Sequence, residues 1–133
     1  YPGLLFLGCE QVWSLDDEIL HAPADMEEAR RRLLLLSGKT HHVTVAVVLA
    51  RDGEVLWRRT DVAGITMLTL DPGFIGRYMA VVGADGLQTA NLCRIDGAGV
   101  QLVETIEGDV FTAAGVPMLP LLVELRRIGT VDF

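Results

Sequence analysis

Short apolar runs alternate with turn residues along this chain, a pattern typical of strands and amphipathic helices within one domain. Residues 4–7 form a continuous apolar run without proline, which predicts a strand buried on both faces. Gly8 follows the run, and we expect Glu10 to project into a cleft at the end of that strand. Asp16-Asp17-Glu18 is a turn signal, so residues 13–20 predict a hairpin.

A helix is predicted from Asp25, which can cap it, to Gly38, which can end it. Its predicted apolar face is formed by the following residues: Met26, Ala29, Leu33 and Leu36. The β-branched stretch 40–51 ends at Asp52-Gly53, a strong hairpin signal, and residues 54–70 predict the return strand. We expect a bulge at Gly64 in that strand.

Asp71-Pro72 predicts the start of a second helix, which Gly83 ends. Beyond it, residues 93–95 and 100–106 predict two short strands, with Val100 and Leu102 pointing inward. Residues 117–129 predict a final helix. The sequence therefore predicts one α/β domain over residues 1–133, with a mixed β-sheet and flanking helices.

Composition narrows the choice of function. The 133 residues are 50% hydrophobic, with a mean hydropathy of +0.38, but no apolar run is long enough to cross a membrane. A net charge of −7 argues against a nucleic-acid duplex as partner, because such binding requires clustered Lys and Arg. Cys9 and Cys93 form no C-x-x-C pair, so a reduced, cytoplasmic setting is the default expectation.

The titratable residues offer few candidate sites. His41 and His42 are adjacent and would point to opposite faces of a strand, which argues against a zinc site. The glycines of Gly97-Ala98-Gly99 predict a turn rather than a dinucleotide loop. Four carboxylates fall at predicted strand ends and turns and could hold Mg²⁺ or Mn²⁺ if they converge: Glu10, Asp96, Glu107 and Asp109. Taken singly, each also fits a turn or capping role.

Several segments, in this order and spacing, resemble the Maf family of nucleoside triphosphate pyrophosphatases. They include Gly8-Cys9-Glu10-Gln11-Val12, Pro23-Ala24-Asp25, Leu36-Ser37-Gly38-Lys39-Thr40-His41, Ile95-Asp96-Gly97-Ala98-Gly99 and Ile106-Glu107-Gly108-Asp109. The resemblance covers residues 7–129. It implies a Maf/ITPase-like α/β fold with a cleft, and hydrolysis of a nucleoside triphosphate to the monophosphate and pyrophosphate with Mg²⁺ or Mn²⁺.

The resemblance also implies roles for single residues. Glu10 occupies the position of the family's general base, and it would share a metal with Glu107 and Asp109. Asp96 and Gln11 would contact substrate, and Gln11 resembles the branch that acts on methylated guanosine nucleotides. The segment that binds phosphates in the family would lie upstream of Tyr1, so we expect a chain truncated at its N-terminus.

Departures from the family pattern leave alternatives open. Ala22 replaces a family lysine, and Asn91-Leu92-Cys93 replaces a small-residue segment. One alternative is a degenerate family member that binds a nucleotide or a partner without turnover. Another is a structural domain that forms a homodimer through apolar surface.

Overall fold

The computed structural model describes residues 1–132. The elements follow in the order β1 (Phe6–Leu15), β2 (Glu18–Leu20), α1 (Met26–Leu36), β3 (Thr40–Arg51), β4 (Glu54–Met67), α2 (Pro72–Val82), a 3₁₀ helix (Gly83–Gln88), a second 3₁₀ helix (Ala98–Leu102), β5 (Val103–Glu107), α3 (Val110–Ala114) and α4 (Met118–Ile128). The predicted fold class, an α/β domain in which helices flank one sheet, is confirmed.

The sheet has five strands in the order β2-β1-β3-β4-β5, and all four neighbouring pairs are antiparallel. Both predicted hairpins are present. Asp16 and Asp17 turn the chain between β1 and β2, and Asp52 and Gly53 turn it between β3 and β4. All four residues have positive φ, as a two-residue hairpin of type I′ requires. The turns therefore set the register of their strands.

Strand β3 lies at the centre of the sheet and separates two different faces. On one face every side chain is fully buried: His41, Val43, Val45, Val47 and Leu49. The helices pack against this face, which we call the helix-covered face, through Ala29, Leu33 and Leu36 of α1, Ile75, Tyr78 and Met79 of α2, Ala113 of α3 and Leu121 of α4. The core therefore lies between one sheet face and one layer of helices.

The opposite face of the sheet, which we call the open face, stays accessible. Apolar side chains there are about half exposed: Phe6 51%, Ile19 60%, Val55 49% and Val62 56%. The antiparallel register places them with the partly exposed alternate residues of β3. The high hydrophobic content thus reflects an accessible sheet face as well as a core.

Helix α1 follows the local pattern closely. Asp25 caps it by accepting a hydrogen bond from the Glu28 amide at 2.8 Å, and the helix ends at Leu36 before Gly38 with φ +67°. Most of the predicted apolar face is buried. Met26 is 39% exposed, however, because it lies in the first turn, where nothing covers it fully.

The prediction of a strand buried on both faces at residues 4–7 is wrong. Leu4, Phe6 and Leu7 are 51 to 53% exposed. Among the described residues, β2 pairs with β1 only at Trp13, Ser14 and Leu15, so residues 6–12 have a neighbouring strand on one side only. An apolar run indicates burial only where other elements cover it, and here they do not.

Three further expectations need correction. Gly64 lies in regular register. The register shifts instead between Leu49 and Ala50 where β3 pairs with β4, and between Thr66 and Met67 where β4 pairs with β5. Residues 93–95 form a turn region, not a strand. Val100 is 49% exposed because residues 98–102 form a 3₁₀ helix, and β5 starts only at Val103.

Within residues 1–132, none of the helices is both long and apolar enough to span a bilayer.

Substitution Leu33→Ala should lower the free energy of unfolding by about 2 to 5 kcal/mol, because Leu33 is fully buried against the sheet. Leu34 is a matched control on the same helix, since its side chain is 44% exposed. We expect Leu34→Ala to change stability by less than about 0.5 kcal/mol. Urea denaturation of both variants measures the difference, and equal losses would contradict the assigned face of α1.

Candidate functional site

Glu10 lies in the middle of β1, not after its end as predicted. It pairs with Ala46 of β3 and therefore belongs to the open face, whereas its neighbour Gln11 belongs to the helix-covered face. The Glu10 side chain is exposed and lies within the part of β1 that has one free edge. The expectation that Glu10 projects into a cleft is wrong for the hollows described below, which it does not line, but its carboxylate is accessible to a ligand that approaches along this edge.

The predicted metal ligands do not assemble into one group. In the sheet, β1 and β5 are separated by β3 and β4, and the row of Glu107 runs through Gly64 and His42 to Ser14. Glu10 and Glu107 are therefore about 19 Å apart across and along the sheet. Asp109 caps α3, where its Oδ2 accepts bonds from the Thr112 amide and hydroxyl at 3.0 Å. Nowhere in residues 1–132 do three His, Cys, Asp or Glu side chains cluster as a metal site.

A hollow on the helix-covered side does bring predicted substrate contacts together. Gln11 and Asp96 both line it, and they come from β1 and from the loop before the second 3₁₀ helix. The other lining residues are Trp13, Thr89, Asn91, Cys93, Arg94, Ile95, Ala113 and Ala114. We call this hollow the Trp13 hollow. It is small, about 80 Å³, and it combines polar side chains with the aromatic ring of Trp13.

A second hollow, of about 350 Å³, adjoins the Trp13 hollow. It shares Thr89, Arg94 and Asp96 with it and extends to Tyr78 and the Gly97–Gly99 turn. Its volume falls in the range of small-molecule sites. The two hollows are neighbours with Arg94 and Asp96 at the border of both, and we call the pair the cleft.

Arg94 and Asp96 form an ion pair at this boundary, with Nη2 and Oδ2 3.1 Å apart. The hydrogen bond and charge of Arg94 lower the pKa of Asp96. Both side chains are more than 60% exposed, so the pair contributes little stability, but it keeps a carboxylate ionised at the mouth of the cleft.

Asn91 forms the buried floor of the cleft. Its Oδ1 accepts a hydrogen bond from the Cys93 amide at 3.1 Å, which fixes the orientation of the side-chain amide. Its Nδ2 lies 3.1 Å from His41 Nε2, so Nε2 must act as acceptor. Burial, together with the nearby His42, lowers the pKa of His41 to about 4. His41 is therefore neutral at pH 7, with its proton on Nδ1.

Gln11 connects β1 to the turn between α3 and α4. Its Nε2 donates to the Gly115 carbonyl at 2.7 Å. Gly115 has φ +125°, and a Cβ atom there would lie 2.5 Å from Gln11 Nε2. A side chain at position 115 would therefore push the end of the Gln11 side chain out of this hydrogen bond, so glycine there allows the contact between Gln11 and the turn.

The loop 89–99 is held by close backbone packing. A Cβ at Gly99 would lie 2.3 Å from the Arg94 nitrogen, and the Gly99 carbonyl accepts from Cys93 Sγ at 2.9 Å. Tyr78 donates its hydroxyl to the Leu92 carbonyl. Burial raises the pKa of Cys93 to about 12, so this thiol is not a nucleophile at neutral pH. Its role is structural.

Sequence reasoning missed several lining residues. The sequence pattern predicts Trp13 only as part of a hairpin, and Asn91 only as a departure from the family pattern. Thr89 was also missed, although its Oγ1 is buried and has no hydrogen-bond partner within residues 1–132. The signal for Trp13 was its position two residues after Gln11, which places both on one strand face.

Comparisons with known proteins identify the family of this chain. A family model described as Maf-like protein matches residues 2–128. The chain belongs to the Maf family. The matched residues include the five strands and four α-helices described above and the residues that line both hollows.

Curated Maf relatives carry a shared name. A protein of Mesorhizobium japonicum is 59% identical over 131 residues, one of Brucella abortus is 53% identical, and one of Rhizobium etli is 46% identical over 132 residues. Each is named 7-methyl-GTP pyrophosphatase, and each match covers 98 or 99% of this chain but 66% of the relative. The chain thus spans just under two thirds of the length of these relatives.

Acidification should weaken the fold through His41. The folded state holds this imidazole neutral down to about pH 4, whereas the unfolded chain binds a proton below about pH 6.5. Stability therefore falls as the pH falls through this window, by about 1.4 kcal/mol between pH 7.5 and 5.5. Unfolding by urea at both pH values should show this loss in the wild type and not in His41→Gln.

His42→Gln is the control, because His42 is exposed on the opposite face of the same strand. We expect this variant to keep most of the pH dependence of the wild type, because burial is the main cause of the lowered pKa of His41 and His42 the lesser one. If it loses that dependence while His41→Gln retains it, the assignment to His41 is wrong.

Substitution Gly115→Ala should destabilise the protein more than Gly129→Ala. Both glycines have positive φ, so both changes carry backbone strain, but Gly129 has open space around a new Cβ. We expect about 0.5 to 1.5 kcal/mol beyond the Gly129 value, because the new Cβ displaces the end of the Gln11 side chain and breaks its hydrogen bond to the Gly115 carbonyl. Thermal or urea unfolding of the two variants measures this, and a similar loss in both would show that the Gln11 contact yields easily.

Proposed function

We propose that this chain carries the activity of a nucleoside triphosphate pyrophosphatase that acts on 7-methyl-GTP. The observation that carries the proposal is the shared name of the relatives, which match 98% or more of the chain at up to 59% identity. The cleft supports it, because Gln11 and Asp96, the two substrate contacts that the Maf resemblance implies, line the same hollow.

In this proposal Glu10 acts as the general base. Water attacks the α-phosphorus, Glu10 takes its proton, and the bond to the oxygen between the α- and β-phosphates breaks. Pyrophosphate leaves, and 7-methyl-GMP remains. Glu10 is exposed on the open face, opposite to Gln11, and the free edge of β1 gives the phosphates a path from one face to the other.

A divalent ion would need ligands from the substrate. The described carboxylates Glu10, Glu107 and Asp109 do not fit a shared protein site, since they do not cluster and Asp109 is used as a helix cap. Mg²⁺ bound to a triphosphate needs only one or two protein carboxylates, because phosphates and water fill the other positions. In this proposal Mg²⁺ or Mn²⁺ enters the site bound to the phosphates of the nucleotide.

Substitution Glu10→Gln tests the role of the base. Loss of a general base should lower kcat by about 10² to 10⁴, with a smaller change in KM. Pyrophosphate release from 7-methyl-GTP, with GTP and dTTP as comparisons, measures the rate in Mg²⁺ or Mn²⁺. Glu104→Gln is the matched control, because Glu104 is another exposed strand carboxylate, on β5 and away from the cleft.

Equal rates in Glu10→Gln and the wild type would remove Glu10 from the mechanism. A wild type without turnover, but with a higher Tm in the presence of 7-methyl-GTP, would favour the alternative of a nucleotide-binding family member. The exposed Ala22, where a lysine is expected, is the observation that favours this alternative. A family lysine there would add a cation near the phosphates, and Ala22 cannot.

A further inference from the structure

Trp13 is the aromatic side chain that lines the hollow shared by Gln11 and Asp96. Its indole is half-buried and packs against the core, and its ring centroid lies 6.2 Å from that of His41, at an angle of 40°. His41 is fully buried and held by Asn91. The indole is therefore supported from the core side while part of it still faces the hollow.

Asp96 provides an ionised acceptor at the same hollow. Its two oxygens accept from Arg94 at 3.1 and 3.3 Å, and each oxygen keeps lone pairs for further donors. The side chain is 61% exposed, so a ligand can reach it. The unpartnered Thr89 Oγ1, which lines the hollow as well, adds a polar group that the protein itself leaves unused.

We propose that Trp13 and Asp96 recognise the base of the substrate, and that they select a cationic 7-methylguanine over guanine. This inference rests on the proposed function for its substrate, and it adds which residues read the base. The indole stacks on the purine ring, and the Asp96 carboxylate accepts from the N1–H and the 2-amino group.

The charge of the base explains the selection. Methylation at N7 places a positive charge on the purine, and a cation over an indole face is attracted by the ring quadrupole. Neutral guanine stacks without this attraction. A carboxylate also binds the donors of a cationic base more strongly than those of a neutral one. Both contacts therefore favour the methylated base in the same direction.

The position along β1 fits this orientation. Trp13 lies three residues from Glu10, roughly 10 Å along the strand. Because Glu10 lies on the open face and Trp13 on the helix-covered face, a nucleotide with its base on Trp13 reaches Glu10 by passing its phosphates around the free edge of β1 beside Gln11. The base end and the hydrolytic end then lie on one strand.

Tryptophan fluorescence tests the stacking directly. Trp57 is the other tryptophan, and it lies about 20 Å from Trp13 along the sheet, so a Trp57→Phe chain reports on Trp13 alone. In this background we expect 7-methyl-GMP to quench the fluorescence with a saturable curve, and GMP to bind roughly tenfold more weakly. Absence of saturable quenching by 7-methyl-GMP would overturn the proposal.

Kinetics with the full chain form the second arm. We expect Trp13→Leu to lower kcat/KM for 7-methyl-GTP by roughly tenfold, mainly through KM, and to change that for GTP much less. Trp13→Phe should retain part of the preference, because a phenyl ring still stacks. Asp96→Asn should also reduce the preference, since it removes the charge and keeps the shape.

The two arms separate this inference from the proposed function. If the wild type hydrolyses 7-methyl-GTP but Trp13→Leu keeps the same preference over GTP, base recognition by Trp13 is wrong and the activity stands. If no nucleotide is hydrolysed, the proposed function fails, and the quenching by 7-methyl-GMP alone decides whether Trp13 binds the base. Circular dichroism and Tm of each variant exclude a loss of fold as the cause, and Trp13→Phe replaces Trp13→Leu if the latter does not fold.

Discussion

The alternation of side chains along β3 is the constraint on which the rest of the structure depends. Five consecutive odd-numbered residues on one face of this strand are fully buried. Because side chains of a strand alternate, a register shift of one residue would expose all of them. The paired strands therefore adopt one register, and this register places Gln11 and Trp13 of β1 on the same, helix-covered face.

Local features of the fold could be predicted because their causes are local. Asp52-Gly53 needs only two residues that accept positive φ, and the structure has them there. The Asp25 and Asp71 caps each depend on an amide three residues away. The bounds of β3, residues 40–51, follow from a β-branched run between two glycine turns.

Burial and the site could be predicted only in part, because they depend on contacts between distant residues. The apolar run 4–7 is exposed because no element covers it. Asn91 and His41 meet across fifty positions of sequence, which no local pattern indicates. The family resemblance predicts Gln11 and Asp96 as substrate contacts, and the structure places both at one hollow, whereas Glu107 and Asp109 lie elsewhere.

The contact between Gln11 and Gly115 has a consequence for how this protein can evolve. A larger residue at position 115 displaces the end of the Gln11 side chain, so the effects of changes at positions 11 and 115 are not expected to be additive. Since Gln11 also lines the cleft, an exchange that starts as relief of crowding would alter the ligand site as well. Substitutions at the Gly115 turn, which lies outside the cleft, are therefore coupled by mutational epistasis to the ligands that the cleft can bind.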